Sequence, residues 1–230
     1  MRIATWNLER PTKNGKKNAE IIKTLKGLDA DILILTEANE CIDLGSEYEY
    51  YMTEVPYSVP GKVIYKEGER RVIICVTKKY TSKQRDYTYD PQTTICIEVE
   101  TESKRLAIYG TIIGVYGNKG DQFKEGLAAQ INDFKKIPKE MPLCIAGDYN
   151  MTFSDNYYKT DPERNMLADA FIKLKMYNLT SAIPDNIDHI TVSRSLLTGR
   201  SLKIASFNID KAGKINKKLS DHMGVMVEIL

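Results

Sequence analysis

The chain has 230 residues, a net charge of +2, 28% charged and 42% hydrophobic residues, which excludes a disulfide-stapled miniprotein, a disordered chain and a strongly basic nucleic-acid coat. A chain of this length buries roughly 70–75% of its unfolded surface and needs no staples for its core. Its longest apolar runs, such as Val72 to Val76, fall far short of the roughly 18 residues a spanning helix needs, and Met1 to Asn7 carries no signal-peptide pattern, so the expected compartment is the cytoplasm.

In chain order, an apolar run at Ile3 to Leu8 reads as a strand. Ile21, Ile22, Leu25 and Leu28 then fall at helical spacing, and Ile32 to Leu35 reads as a second buried strand. The middle differs: Tyr48 to Thr53, Val63 to Tyr65, Arg71 to Thr77, Thr93 to Glu100 and Leu106 to Ile113 follow one another as strands with no helical segment between them, which predicts antiparallel sheet. Phe123, Leu127, Ile131 and Phe134 restore helical spacing before the strand Leu143 to Ala146. A third helix is signalled by Asp161 as N-cap, Pro162 at the first helical position, and Met166, Leu167, Ala170, Phe171 and Leu174 on one face. Ile187 to Ser193, Leu202 to Ile209 and Val225 to Leu230 close the chain as strands. With no linker or low-complexity tract, residues 1–230 read as one domain of helices and mixed sheet, in which helix, apolar strand and carboxylate recur as two similar halves.

Cys41, Cys75, Cys96 and Cys144 are widely spaced and three lie in apolar runs, so they read as reduced core thiols rather than zinc ligands. Two acids follow the most buried-looking strands, Glu37 after Ile32 to Leu35 and Asp148 after Leu143 to Ala146. Ligands of α/β sheets gather beyond the carboxyl ends of such strands, although an acid there also simply opens a loop or caps a helix. The two histidines, His189 and His222, each follow an aspartate. Strand alternation puts Asp188 and His189 on opposite faces, so they do not serve one centre together; facing His222 from another strand is open to Asp188, and His189 reads as a partly buried packing residue.

Trp6-Asn7, Leu35-Thr36-Glu37, Gly147-Asp148-Tyr149-Asn150, Ile187-Asp188-His189-Ile190 and Ser220-Asp221-His222 resemble, in order, the motifs of the endonuclease/exonuclease/phosphatase family. The resemblance implies an α/β fold, a four-layered α/β/β/α sandwich with two mixed sheets, and a magnesium-dependent phosphoesterase, with manganese the alternative ion. It makes Glu37 the main metal ligand with Asn7 and Asp221 beside it. It makes Asp148 the group that orients and deprotonates the attacking water, Asn150 a hydrogen-bond partner of nucleophile or phosphate, and His222, held by Asp188, the stabiliser of phosphoryl charge; positioning and electrostatics of this kind carry phosphoryl transfer. One departure stands out. Where many members have Asn-Thr-His-Leu, this chain has Gly110-Thr111-Ile112-Ile113, with Tyr109 or Tyr116 left as replacements for the missing phosphate donor.

Two basic clusters flank the motifs, Arg10, Lys13, Lys16 and Lys17, and Lys211, Lys214, Lys217 and Lys218. They read either as a rim for a polyanion or as solvated loops, and Met151 to Tyr158 either lines the cleft or forms a surface loop. The expected partner is a phosphate-ester substrate, with DNA or RNA first and with no protein partner indicated. A phosphatase, a phospholipid phosphodiesterase and a non-catalytic phosphate- or partner-binding module are the alternatives.

Overall fold

The computed structural model describes residues 1–57, 65–102, 104–115, 120–155 and 161–230. Its elements are β1 (Arg2–Asn7), α1 (Asn18–Gly27), β2 (Ile32–Asn39), β3 (Tyr48–Met52), β4 (Glu69–Thr77), β5 (Thr81–Arg85), β6 (Thr94–Glu100), β7 (Arg105–Ile112), α2 (Gly120–Lys136), β8 (Leu143–Asp148), α3 (Asp161–Lys173), β9 (Met176–Asn178), β10 (Asp188–Ser193), β11 (Leu202–Phe207) and β12 (Gly224–Ile229). One six-stranded sheet runs β11-β12-β1-β2-β4-β3 and a second runs β5-β6-β7-β8-β10-β9.

Three apolar cores separate four layers. Ile3, Ile34, Val72, Ile97, Ile108, Ala146 and Val225 fill the space between the sheets. Trp6, Ile21, Leu25, Leu33 and Leu35 join α1 to the first sheet, and Phe123, Leu127, Phe134, Ile145 and Phe171 join α2 and α3 to the second. The alternation of strand side chains sends odd and even residues to different cores, which is why β2 splits Ile32 and Ile34 from Leu33 and Leu35. Within each sheet one strand pair is parallel and joined through a helix, β1-α1-β2 in the first and β7-α2-β8 in the second. The carboxyl ends of both pairs meet across the sandwich, where Asn7 Nδ2 donates to Asp148 Oδ2 at 3.1 Å.

Several elements depart from the sequence reading. β5 is Thr-Ser-Lys-Gln-Arg, an edge strand without apolar alternation, held through its pairing with β6. β9 has only three residues, too short for a periodicity signal. β2 continues past Leu35 to Asn39, so Glu37 lies inside the strand rather than after it. Ile209 is outside β11 and forms an isolated bridge to Ile215. Tyr65 lies outside any strand, and Val63, Ile64 and the Asn156 to Tyr158 end of the Met151 segment fall outside the described residues. Cys75, Cys96 and Cys144 are buried, Cys41 is partly so, and all are free thiols. No described helix is long and apolar enough to cross a membrane.

Gly147 carries the closest backbone approach. Its φ is 140°, and a Cβ there would stand 1.8 Å from the carbonyl oxygen of Thr111 on the neighbouring strand. Only glycine fits, because both the dihedral and the space exclude a side chain. Gly147→Ala is therefore expected to cost more than about 3 kcal/mol or to prevent folding; urea unfolding within about 1 kcal/mol of the parent would refute this close approach.

Candidate active site

Asp148 ends β8 and stands opposite Asp188, the first residue of β10, in the antiparallel register. Both are buried. Asp148 Oδ1 accepts the Asn150 backbone N–H at 2.8 Å and its Oδ2 accepts the Asn7 amide. Asn150, with φ 51°, donates its side-chain Nδ2 to the Ile113 carbonyl at 2.7 Å. Asp188 Oδ2 lies 2.7 Å from His222 Nδ1, across 34 positions of sequence. One ligand atom from each of Asp148, Asp188 and His222 falls within 4.8 Å of the others.

The electrostatics follow from crowding acids in an apolar interior. Burial pushes the Asp148 carboxyl well above the usual carboxylate range; His222 counters this, Asp188 adds to it, and the hydrogen bonds from Asn150 and Asn7 oppose it. For His222, burial disfavours the charged ring, but the charge and hydrogen bond of Asp188, with Asp148 and Asp221, outweigh it and raise the pKa to about 10. The triad thus carries its own cation. His222 Nδ1–H points at Asp188, leaving Nε2–H to face the cleft 3.8 Å from Asp221 Oδ1.

The carbonyl of His222 is pinned by two donors, Trp6 Nε1 at 3.1 Å and Asn208 Nδ2 at 2.7 Å. Ser220 Oγ donates to the Asn7 carbonyl at 2.7 Å. The segment before the histidine is therefore stitched to the end of β1. Asn208 is a positioning residue the sequence did not mark; it sits at φ 58° just after β11 with no motif around it.

Glu37 arrives by a backbone device. Its φ is 43°, and the face alternation of β2 slips there: Thr36 pairs with Val72 of the inter-sheet core, while Ala38 packs on the α1 side. The slip turns the carboxylate to the rim, within electrostatic reach of His222, Arg10 and Asp221. Burial raises its pKa, with His222 and Arg10 opposing. Among the described residues its carboxylate makes no hydrogen bond or ion pair. A desolvated carboxylate without a partner among the described residues, within electrostatic reach of Asp221, suits a hard divalent ion. Asp221 is 57% exposed at the rim.

His189 lies on the opposite face of β10, fully buried against Tyr149 and Phe153. Burial lowers its pKa to about 4. Tyr109 does not supply the missing phosphate donor: its hydroxyl is buried in the helix-side layer and donates to Asp133 Oδ2 at 2.9 Å. The inner-face neighbour of Asp148 on β7 is the apolar Ile112. Tyr116 lies outside the described residues.

The two basic clusters fare differently. In the first, Arg10 makes a two-bond pair with Glu69 at 2.7 and 3.0 Å, Lys17 bonds Glu9 and the carbonyls of Leu8 and Glu9, and Lys13 is 3.8 Å from Glu67, while Lys16 is exposed and makes no ion pair among the described residues. In the second, Lys211, Lys214, Lys217 and Lys218 are exposed and make no ion pair among the described residues. They ride on a hairpin fixed by Asp210 Oδ1, which accepts the backbone N–H groups of Ala212 and Lys214 at 2.8 and 2.9 Å. The feet of that hairpin are Asn208 and Ser220, the residues that hold His222 and Asn7.

A sandwich of two mixed sheets, with acids, amides and a charged Asp–His pair gathered where two parallel strand pairs end, defines a hydrolase of phosphoric esters. The Endonuclease/Exonuclease/phosphatase family profile matches residues 4–222, and the chain belongs to that family. Solved structures of similar fold include the endonuclease domain of TRAS1, a telomere-specific non-LTR retrotransposon, at 14% identity over 99% of this chain and 97% of that one, TM-score 0.68. The human Nocturnin catalytic domain with bound sulfate anion aligns at 15% identity over 100% and 93%, TM-score 0.72. AP endonuclease LMAP from Leishmania major aligns at 14% over 98% and 86%, TM-score 0.70. At these identities the likeness establishes the fold. No curated protein sequence matches the chain. Members of the family generally depend on a divalent metal.

Two histidines with opposite shifts make the electrostatics measurable. By NMR titration His222 is expected to protonate near pH 10 and His189 near pH 4. Because the folded pKa of His222 lies above its unfolded 6.5, its stabilisation is fully present below pH 6.5 and is lost as pH rises through about 10. Asp188→Asn should bring the His222 titration down by more than one pH unit and flatten stability over that window. A His222 midpoint near 6.5 in the parent protein would refute the charged pair.

Proposed function

We propose that the chain is a divalent-metal-dependent phosphodiesterase, with magnesium the expected ion, manganese the alternative, and nucleic acid the first substrate to test. The observation that carries this reading is the lysine hairpin, whose feet hold His222 and Asn7 and whose four lysines have no ion pair among the described residues. A polyanion lying across the cleft would neutralise those charges, whereas an isolated phosphomonoester needs no such row. The comparison proteins include an endonuclease domain and an AP endonuclease, which is consistent with this choice.

In this reading residues 1–230 act as one domain, since the catalytic groups come from both sheets, and the compartment is the cytoplasm. Glu37, Asn7 and Asp221 would hold the ion, which when bound supplies positive charge to phosphate oxygens. Asp148, with its raised pKa, accepts the proton of the attacking water. Asn150, whose Nδ2 donates to the Ile113 carbonyl and approaches Asp148 Oδ2, leaves Oδ1 to accept a hydrogen bond from that water. His222 presents Nε2–H from a ring held charged by Asp188, and stabilises the negative charge that develops on the phosphoryl group.

Cleavage of DNA or RNA that needs the divalent ion and stops with chelator is the expected result, with Glu37→Ala, Asp148→Asn and His222→Ala each lowering kcat/KM by about 100-fold or more. Glu37→Ala should also weaken magnesium binding measured by calorimetry. Replacing Lys214, Lys217 and Lys218 by Ala should reduce the slope of log affinity against log salt by about 0.9 for each phosphate that is no longer neutralised, while Lys13→Ala, which removes a lysine facing Glu67, leaves it unchanged. Release of phosphate from monoesters with DNA and RNA intact would assign the site to a phosphatase, and cleavage of phospholipid alone to a phospholipid phosphodiesterase.

A further inference from the structure

His189 contacts nothing in the cleft, yet its hydrogen bonds reach the segment that carries Asn150. Its Nε2 lies 2.9 Å from the Met151 carbonyl, its Nδ1 3.0 Å from Thr180 Oγ1. A carbonyl can only accept, so Nε2 carries the proton and Nδ1 is left as acceptor; the tautomer is dictated by the chain. Asn186 Nδ2, which donates to the Asp188 carbonyl at 2.5 Å, also faces Nδ1 at 3.4 Å. On that side the ring meets the Thr180 hydroxyl and the Asn186 amide, and Thr180 Oγ1 in turn accepts the Ile190 N–H at 3.1 Å and lies 3.2 Å from Asn178 Oδ1. One imidazole joins the β9–β10 turn, the start of β10 and the loop leaving β8.

Simple packing does not account for this side chain. Tyr149 and Phe153 offer apolar rings against this side chain, where a leucine would pack without the desolvation of a polar ring. What the imidazole supplies and leucine does not is a rigid N–H donor to the buried Met151 carbonyl. The residue before that carbonyl is Asn150, held at φ 51° with its amide on Ile113. An L-residue in that left-handed conformation persists only where its surroundings over-determine it.

We propose that His189 is a positioning residue for the phosphoryl-transfer site: by donating from Nε2 to the Met151 carbonyl it holds Asn150 in its left-handed conformation, with Nδ2 on the Ile113 carbonyl and Oδ1 left to accept a hydrogen bond from the attacking water. The proposal rests on the role given to Asn150 above. His189 acts through the loop, and its neighbour Asp188 acts through His222, so β10 sends one residue to each side of the site. Both faces of the strand serve the same rim.

Three substitutions separate this from a packing role. Glutamine places an amide N–H near the position of imidazole Nε2, asparagine places one near Nδ1, and leucine supplies none. With the most readily cleaved phosphodiester and magnesium, His189→Leu and His189→Asn should lower kcat at least 10-fold with KM within about twofold, and His189→Gln should recover most of the loss. In an Asn150→Ala background, His189→Leu should add less than twofold, because the group it positions is gone. Independently of activity, the Asn150 side-chain NH2 resonances should shift in His189→Leu and return in His189→Gln. The proposal is overturned if all three variants retain full kcat. It is also overturned if glutamine and leucine lose equal activity in proportion to their unfolded fraction, if the His189→Leu loss persists undiminished in the Asn150→Ala background, or if the Asn150 resonances do not move. Should Asn150→Ala alone prove fully active, the role of Asn150 fails, and the resonances still decide whether His189 holds it.

Discussion

An amide-to-carboxylate hydrogen bond 3.1 Å long, from Asn7 at the end of β1 to Asp148 at the end of β8, joins the two sheets at the rim. It exists because each sheet contains a parallel strand pair bridged by a helix, and the carboxyl ends of both pairs point the same way across one apolar core. Side chains that follow those strands have nowhere to go but toward each other. Asn7 suits the contact because an amide offers both a donor and an acceptor: Nδ2 goes to Asp148 while Oδ1 takes the Glu9 backbone N–H. A carboxylate at position 7 would set two buried negative charges against one another, and an apolar residue would leave Asp148 Oδ2 without this donor.

Around that contact the dominant problem is negative charge in a poorly solvated place. Asp148, Asp188 and Glu37 are partly or fully removed from water, and three kinds of relief are at work. Hydrogen bonds from Asn7 and the Asn150 backbone stabilise Asp148, a protonated His222 sits against Asp188, and Arg10 faces Glu37 from its pair with Glu69. Glu37 is the carboxylate left without a direct partner among the described residues. The physical logic of the rim is thus a cluster of acids one cation short, which is the electrostatic signature of a site that takes a positive ion. Three of the non-glycine residues at positive φ, Glu37, Asn150 and Asn208, are those at which the chain turns a side chain into or behind the rim. Left-handed backbone at non-glycine residues costs free energy, and it persists here because hydrogen bonds and packing on either side fix it.

Charge that looks equivalent along the chain proves inequivalent in space. Arg10, Lys13 and Lys17 find Glu69, Glu67 and Glu9, whereas Lys211, Lys214, Lys217 and Lys218 are held out on a hairpin braced by Asp210. The difference comes from the neighbouring strands. Glu69 begins β4 beside the kinked end of β2, and Glu67 precedes it, so acids from another part of the chain reach the first cluster. The second cluster lies between the edge strand β11 and its neighbour β12, where no acid among the described residues pairs with it.

The sequence by itself determined the positions of the buried strands and helices, because apolar alternation and helical spacing are local properties: Ile32 to Leu35, Thr93 to Glu100 and the Phe123-to-Phe134 helix each declare themselves within a dozen residues, while the four layers followed from the resemblance of its motifs. It also marked Asn7, Glu37, Asp148, Asn150, Asp188, Asp221 and His222 through five short motifs; strand parity separated Asp188 from His189, and the resemblance carried by those motifs paired Asp188 with His222. It did not reveal β5 or β9, whose stability comes from a neighbouring ladder rather than from their own side chains. Nor did it reveal the slip at Glu37, the grip of Asn208 and Trp6 on the His222 carbonyl, or the commitment of Tyr109 to Asp133 on the far side of the sheet. These depend on which residues a closed sandwich brings within hydrogen-bond distance, across 14 positions for Asn208 and 216 for Trp6. Local pattern fixes which face a side chain takes; only tertiary packing decides what stands opposite it.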